Sequence, residues 1–226
     1  MQVLRKGSRH FQVKLLQSLL NKEKKRAGLG APFLNPDGDF GGLTDSALYA
    51  FQKRRHLVPD KIVGFNTWKA LGLRIEKEHA GVPLLGQTTD MSCWSAAASM
   101  ILGNMSVGPG GGSLGPTGGL LTNTASLHAF AEGLGWEALN YSPGVGELVE
   151  IVNRTPVWIA AEGPSFGHAV VLSGVYSDGT HTGDGVLFRI HDPWPVGVGN
   201  VYGSLVNPLK IQGVLAASYF HVLVPK

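Results

Sequence analysis

Cys93 is the only cysteine in the 226-residue sequence, and it directly precedes a run of residues that favours a helix. That run, Ser95–Leu102, is rich in alanine, so we expect Cys93 at the N-terminal end of a helix. Free backbone N–H groups and the helix dipole at such an end favour a thiolate over a thiol. A nucleophilic cysteine is therefore one interpretation, and a buried structural cysteine is the other.

Three further residues could complete a site for acyl transfer. Gln87 lies six residues before Cys93, so its amide could join the Cys93 N–H in binding an oxyanion. His168 and Asp192 flank the turn sequence Ser177–Asp184. A turn centred near residue 181 would bring His168 within one diagonal step of Asp192, where an acid can orient an imidazole. Taken singly, His168 could instead be a sheet-edge histidine and Asp192 a turn residue before proline.

Two other chemistries have weaker support in the sequence. Gly163–Gly167 matches the Gly-x-Ser-x-Gly nucleophile elbow around Ser165, but that motif requires a following helix, and a strand-like run follows here. The remaining histidines lack the spacing of metal ligands, so we expect no metal and no cofactor; they include His128, His181, His191 and His221.

Charge is distributed unevenly along the chain. The net charge is +3 overall, but residues 1–79 carry +8 and residues 80–226 carry −5. Such a split favours two domains with different partners. Nucleic acid and an anionic wall polymer are both candidate partners for the basic half. No apolar run approaches the length of a membrane span, and the first residues lack the apolar segment of a signal peptide.

The first 73 residues predict a small bundle of three helices. The first carries an apolar stripe from Phe11 to Leu20, with Ser8 as its N-cap. The second begins at Thr44, which we expect to cap it, and the third is a short helix at Asn66–Leu71. Residues 74–81 are charged and have no clear apolar face, so they are predicted to be a linker.

The segment 82–226 is predicted to form a second domain of α+β class, with the Cys93 helix at its start and an antiparallel sheet after it. The glycine-rich stretch Val107–Gly119 must be a loop, and it either lines the substrate cleft or lies on the surface. Further helices are predicted at Thr124–Gly133 and Gly146–Asn153. Strands are predicted at Val157–Ala161, His168–Tyr176, Gly185–Asp192 and Ser218–Val224.

The N-terminal segment resembles the three-helix peptidoglycan-binding domain of bacterial wall enzymes. Five motifs carry this resemblance in order, namely Leu4–Ser8, Leu16–Leu20, Asp37–Thr44, Ala50–Gln52 and Val63–Trp68. The loop after the first helix is longer than is usual in that family. The resemblance implies that bacterial peptidoglycan is a partner.

The second domain resembles papain-like cysteine peptidases, particularly the compact bacterial forms, in four features taken in order. These are Gln87, the pair Cys93-Trp94, the run Gly167-His168-Ala169 and the pair Asp192-Pro193. The resemblance implies that Cys93 is the nucleophile, His168 the base, Asp192 the residue that orients it, and Gln87 part of the oxyanion hole. It also implies that Trp94 and Gly167 contact the substrate.

Together the two resemblances imply a hydrolase that cleaves an amide bond in the peptide part of peptidoglycan, as an amidase or endopeptidase. We expect a secreted antibacterial effector that reaches the periplasm or cell wall without a classical signal peptide, with an immunity protein and a secretion apparatus as partners. Nucleic acid and membrane are not expected partners. The alternatives are a papain-like protease of protein substrates, whose N-terminal domain serves only for targeting, and a catalytically dead scaffold.

Overall fold

The computed structural model describes residues 1–103, 106–163, 166–206, 209–211, 214–215 and 220–226. Helices and antiparallel strands are both present, in the α+β arrangement that the sequence predicts. The helices are α1 (Phe11–Arg26), α2 (Gly42–Arg54), α3 (Phe65–Ala70), α4 (Cys93–Leu102), α5 (Thr124–Gly133) and α6 (Val145–Arg154). The strands are β1 (Ile75–Glu78), β2 (Trp136–Ala138), β3 (Val157–Gly163), β4 (Phe166–Ser177), β5 (Val186–Asp192), β6 (Asn200–Leu205), β7 (Lys210–Ile211), β8 (Val214–Leu215) and β9 (Phe220–Pro225).

The three predicted N-terminal helices are present, but both predicted N-caps are wrong. His10 is the N-cap of α1, and its Nδ1 accepts a hydrogen bond from the Gln12 N–H at 3.3 Å. Ser8 lies two residues before this cap, and its hydroxyl instead accepts a hydrogen bond from the Arg5 N–H. The helix α2 begins earlier than predicted, after Gly41, so Thr44 lies inside it. Its buried hydroxyl accepts from the Gln17 side chain of α1 and joins the two helices.

The segment predicted as a linker contains β1, a strand that the sequence analysis did not predict. The strand β1 pairs antiparallel with β4, from Ile75 opposite Ser177 to Glu78 opposite Gly174. A strand of four residues obtains its order from the backbone of its partner and needs no strong apolar pattern of its own. The sequence of β1 therefore carries no amphipathic pattern that would predict the strand. The side chain of Glu78 adds a contact by accepting a hydrogen bond from the Tyr176 hydroxyl.

The helical bundle packs directly on the sheet of the second domain. Its core cluster, which includes Leu16 and Phe51, also contains Tyr176 of β4 and Leu187 of β5. The polar contacts at the same interface include Lys22, whose ammonium group pairs with Asp178 and donates to the Thr180 hydroxyl at 2.9 Å. Since apolar side chains of both parts share one core, the bundle is fixed against the sheet.

The main sheet has the strand order β2-β9-β3-β4-β5-β6, with β1 paired to β4 beside this path. One apolar cluster lies between the sheet and α6 and includes Val152, Val170 and Phe188. A second cluster, which includes Ala97, Phe130 and Trp158, lies where α4 and α5 cover the sheet. The predicted helix at Thr124–Gly133 agrees with α5 at both ends. The beginning of the last predicted strand, at Ser218, falls outside the described residues.

No helix in the described ranges has the length and apolar character needed to cross a membrane.

Candidate active site

Cys93 is the first residue of α4, as the sequence predicts. The preceding residue, Ser92, does not cap the helix with its side chain in the described structure. Its hydroxyl accepts hydrogen bonds from the N–H groups of Thr88 and Thr89 at 3.1 and 2.9 Å and so holds the preceding turn. The N–H groups at the start of a helix have no partner within the helix. Negative charge on the Cys93 side chain is therefore favoured at this end of the helix.

His168 and Asp192 meet across β4 and β5 through the register that the turn predicts. Val171 lies opposite His191, and Leu172 lies opposite Ile190, as expected for a turn centred on residue 181. The register shifts by one residue between Leu172 and Gly174, so the strand segments beyond this β-bulge pair differently. At the end away from the turn, His168 Nε2 lies 2.7 Å from Asp192 Oδ1.

The carboxylate of Asp192 is held from several directions. The side chain is 1% exposed, and its Oδ1 also accepts from the Trp194 N–H at 2.8 Å. Its Oδ2 accepts from the Tyr202 hydroxyl at 3.0 Å. Because both oxygens are bonded, the carboxylate has one orientation and therefore fixes the plane of the His168 ring. Tyr202 was not predicted as a site residue, because the strand that carries it, β6, contains glycine and serine and has no clear strand pattern in the sequence.

The environment of His168 favours its protonated form. Burial disfavours the charged imidazolium, but the hydrogen bonds to Asp192 and to the Cys93 side chain outweigh burial and raise the pKa of His168 to about 9. Since Nε2 is bonded to Asp192, Nδ1 is the nitrogen left for the sulfur. An imidazolium between a carboxylate and a sulfur atom can stabilise a thiolate and later supply a proton.

Cys93 and His168 open onto one cavity of about 230 Å³. Its floor is formed by small and aromatic side chains of the sheet, including Ala160, Ala169 and Trp158. The other lining residues are Asp90, Met91, Trp94, Gly119, Leu120, Thr122 and Gly167. The cavity is therefore mostly apolar, and the Cys93 side chain and the His168 imidazole both line it.

Trp94 and the glycine-rich loop form one wall of this cavity. The Trp94 side chain is 7% exposed, and its indole N–H donates to the Gly118 carbonyl at 3.2 Å. That bond ties the end of the loop to α4, and Gly119 and Leu120 line the cavity beside it. The end of the loop thus belongs to the cavity wall. This favours the interpretation that the glycine-rich loop lines the cleft over the interpretation that it is a plain surface loop. Gly167, near the start of β4, is exposed and also lines the cavity.

Gln87 is buried beside the turn that leads into α4. Its side-chain Nε2 donates to the Thr89 carbonyl at 2.8 Å, and the Ser92 hydroxyl donates to the same carbonyl at 3.1 Å. This shared acceptor brings the amide close to the residue before Cys93. The Gln87 side-chain oxygen, although buried, has no hydrogen-bond partner among the described residues. The amide of Gln87 is therefore only partly engaged by the protein.

The alternative chemistries gain no support from the fold. Ser165 lies outside the described residues, but Gly163 of β3 pairs with Phe166 of β4 and β4 continues as a strand to Ser177, whereas the elbow motif requires a helix after the serine. His191 is buried, hydrogen-bonds Ser173 through Nδ1 at 2.6 Å, and burial lowers its pKa to about 4. Within the described ranges, no group of three or more His, Cys, Asp or Glu side chains is arranged to hold a metal ion.

A helix that begins at a cysteine and packs on an antiparallel sheet carrying a His–Asp pair is the architecture of papain-like thiol hydrolases. Comparison with protein families agrees. Residues 124–202 match the family model described as the papain-like cysteine protease AvrRpt2, and residues 9–71 match that of a putative peptidoglycan-binding domain. The chain therefore joins an N-terminal peptidoglycan-binding domain to a papain-like cysteine protease domain. It is a cysteine peptidase targeted to the cell wall.

The protease match covers only part of the site. The protease match includes His168 and Asp192 but begins after Cys93 and Gln87. The assignment of the nucleophile consequently depends on the position of Cys93 at the start of α4 and on its contact with His168.

Proposed function

We propose that this protein hydrolyses an amide bond in the peptide part of peptidoglycan through Cys93, His168 and Asp192. The observation that carries the proposal is the contact of His168 with Asp192 at 2.7 Å on one ring nitrogen and with Cys93 on its other side. The Cys93 thiolate attacks the carbonyl carbon, and the His168 imidazolium gives its proton to the leaving amine. Water, deprotonated by His168, then hydrolyses the thioester and releases the thiolate.

The negative charge on the substrate oxygen needs donors that are already in place. We assign this role to the Cys93 N–H at the start of α4 and to the side-chain amide of Gln87. An amide nitrogen carries two hydrogens, and Thr89 accepts only one of those of Gln87. We propose that the second binds the oxyanion, which develops only in the transition state, so these donors would lower the barrier rather than tighten substrate binding.

The cavity beside Cys93 suits small uncharged side chains. Ala160 and Ala169 provide room above the sheet, whereas Trp94 and Trp158 limit the depth. The peptides of bacterial walls are rich in alanine, which fits such a space. We propose Trp94 and Gly167 as part of the surface that contacts the substrate beside the scissile bond. The peptidoglycan-binding domain supports the choice of the wall as substrate because it holds the protease at that polymer.

Mass spectrometry of purified peptidoglycan after digestion tests the proposal. The wild-type protein is expected to release fragments with one new amine and one new carboxylate, and their masses identify the bond that is cut. Cys93→Ala protein is the control for spontaneous release. Efficient cleavage of casein without new fragments from peptidoglycan would contradict the proposal and move the function to a protease of protein substrates.

The wall lies outside the cytoplasmic membrane, so an enzyme that acts on it must be exported. We extend the proposal to an exported antibacterial effector, against which a producing cell would need an immunity protein. Expression of the wild-type chain in the periplasm of a bacterial host should then cause lysis, whereas the same amount of Cys93→Ala protein should not. Equal growth of the two strains would contradict the effector role.

Asp192→Asn tests how the imidazole is oriented. Asparagine keeps an oxygen that can accept from His168 and from the Trp194 N–H, but it removes the negative charge. We expect kcat/KM to fall by less than the roughly 10²–10⁴-fold that general acid–base groups contribute. The alkaline limb of the pH profile should move to lower pH, because Asp192 helps to raise the pKa of His168 to about 9 and the proton would now be lost earlier.

The more severe Asp192→Ala serves as the comparison, since it removes the hydrogen bonds as well as the charge. Its loss of activity should exceed that of Asp192→Asn. Wild-type kinetics and an unchanged pH profile in both variants would show that Asp192 does not orient His168.

A further inference from the structure

The peptidoglycan-binding domain contains a second cavity, remote in sequence from Cys93. It has a volume of about 350 Å³ and lies between α1, α2 and the loop that joins them. This loop is longer than is usual in the peptidoglycan-binding domains that the N-terminal segment resembles. Its apolar side chains Leu29 and Phe33 line the cavity from one side, and Leu43 and Ala47 of α2 line it from another.

The loop is held on α1 by hydrogen bonds from side chains of the helix. The Asn21 side chain forms two hydrogen bonds with the backbone of Leu34, both at 2.8 Å. The Lys24 ammonium group donates to the Pro32 carbonyl at 2.6 Å. These three bonds hold the loop on both sides of Phe33, so the cavity exists before any ligand binds, and little order has to be created on binding.

Apolar surface and positive charge meet at Phe33. The ring is 42% exposed although it belongs to a large apolar side chain, and Leu43 is 79% exposed. The ammonium groups of Lys24 and Lys25 lie 5.6 and 5.4 Å from the centre of the Phe33 ring. Arg54 of α2 also lines the cavity. The site therefore offers an aromatic surface together with three cationic side chains.

We propose that this cavity is the site at which the domain binds the wall, and that its ligand is the sugar–peptide junction of peptidoglycan. The apolar faces of the sugar rings would pack on Phe33 and Leu43, whereas carboxylates of the attached peptide would pair with Lys24, Lys25 and Arg54. Neutral polysaccharides lack the carboxylates, and acidic peptides lack the sugar faces. The match of residues 9–71 to a peptidoglycan-binding domain gives the ligand class but assigns no ligand-binding residue. The proposal does not depend on which amide bond the enzyme cuts.

Co-sedimentation with purified, protein-free peptidoglycan tests the site, with full-length protein carrying Cys93→Ala so that the polymer stays intact. Phe33→Ala should raise the Kd about tenfold or more, which is the range expected for truncating a central aromatic contact. Phe65→Ala is the matched control, because Phe65 is 79% exposed and lies on α3, outside this cavity. It should bind like the parent protein.

The aromatic part and the charged part of the proposed contact can be tested separately. Phe33→Tyr should retain binding, whereas Phe33→Leu should not, since leucine keeps apolar volume but lacks the ring. Lys25→Ala should weaken binding more at low salt than at high salt, because charge attraction is screened by ions, whereas Lys69→Ala should have little effect. Wild-type binding by both Phe33→Ala and Lys25→Ala would overturn the proposal, as would equal weakening by the control variants.

Cleavage kinetics separate this proposal from the proposed function. Phe33→Ala in the otherwise wild-type protein should act at the normal rate on small soluble wall peptides and more slowly on insoluble peptidoglycan. If binding depends on Phe33 but no wall fragments appear, the binding site stands and the proposed hydrolysis fails. If Phe33→Ala slows both substrates equally, the cavity has no separate role in binding the wall.

Discussion

Cys93→Ala protein is expected to show no hydrolysis of peptidoglycan above background while it binds the polymer like the wild type. The Cys93 side chain is partly exposed in the cavity that His168 also lines, so its removal takes away the proposed nucleophile and should leave the core intact. Activity should fall by about 10⁶-fold, the loss in kcat that follows removal of the nucleophile from a catalytic triad. Release of soluble fragments, measured by mass spectrometry, gives the rate.

Cys93→Ser is the informative companion variant because it preserves size and a hydrogen-bonding group. A serine hydroxyl is not ionised near neutral pH, so this variant should also be almost inactive. Unchanged melting temperatures would show that both variants fold. Full activity in purified Cys93→Ala protein would end the hypothesis of a cysteine enzyme, and Ser165→Ala would then be the next variant to measure.

Gly86→Ala is also expected to cause a large loss of activity, although Gly86 takes no part in the proposed chemistry. A Cβ at this position would lie 2.3 Å from the Val198 nitrogen and 2.5 Å from the Gly197 carbonyl carbon. Both are backbone atoms, so no change of rotamer can relieve the overlap. The loop of residues 193–199, which directly follows Asp192, would have to move away.

The displacement would act on both halves of the site. The Gln87 N–H donates to the Pro193 carbonyl at 2.9 Å, and the Gly197 N–H donates to the Gln87 carbonyl at 2.8 Å. These bonds position the proposed oxyanion donor relative to the segment after Asp192. Misplacement of about 1 Å can reduce a rate by about 10²-fold, and overpacking of this kind typically costs about 1–3 kcal/mol of stability. We expect kcat to fall by about 10²-fold and the melting temperature to decrease.

Gly81→Ala is the matched control, since a Cβ at that position would meet no atom within 4 Å. It should leave kcat and melting temperature unchanged. Assays well below the melting temperature of Gly86→Ala separate a distorted site from an unfolded one. Equal activity of the two variants would contradict the role of this contact in holding the site.

The shared core of the two domains affects how the protein can be dissected. Removing residues 1–81 would delete β1, which pairs with β4, and would expose Tyr176 and Leu187 to water. A shortened protease domain could then lose activity through its fold rather than through loss of wall binding. Point variants such as Phe33→Ala are expected to change wall binding alone and are the better test of targeting.

Several features of this protein follow from its sequence alone because their causes are local. The alanine-rich run places Cys93 at a helix start, and the position of one turn sets which residues of β4 and β5 face each other. The contact between His168 and Asp192 follows from that turn, although the two residues lie 24 positions apart. The motifs of the binding domain are likewise short and contiguous.

Other features were decided only by the tertiary structure. The strand β1 forms because β4 offers backbone partners, and Thr44 bonds α1 because two helices pack together. Tyr202 reaches Asp192 from a strand with no clear pattern, and the cavity at Phe33 exists because a loop is bonded to α1. In each case the stabilising partner is distant in sequence and leaves no periodic signal. Local periodicity therefore determined which residues could react, whereas packing between distant segments determined what holds them in place.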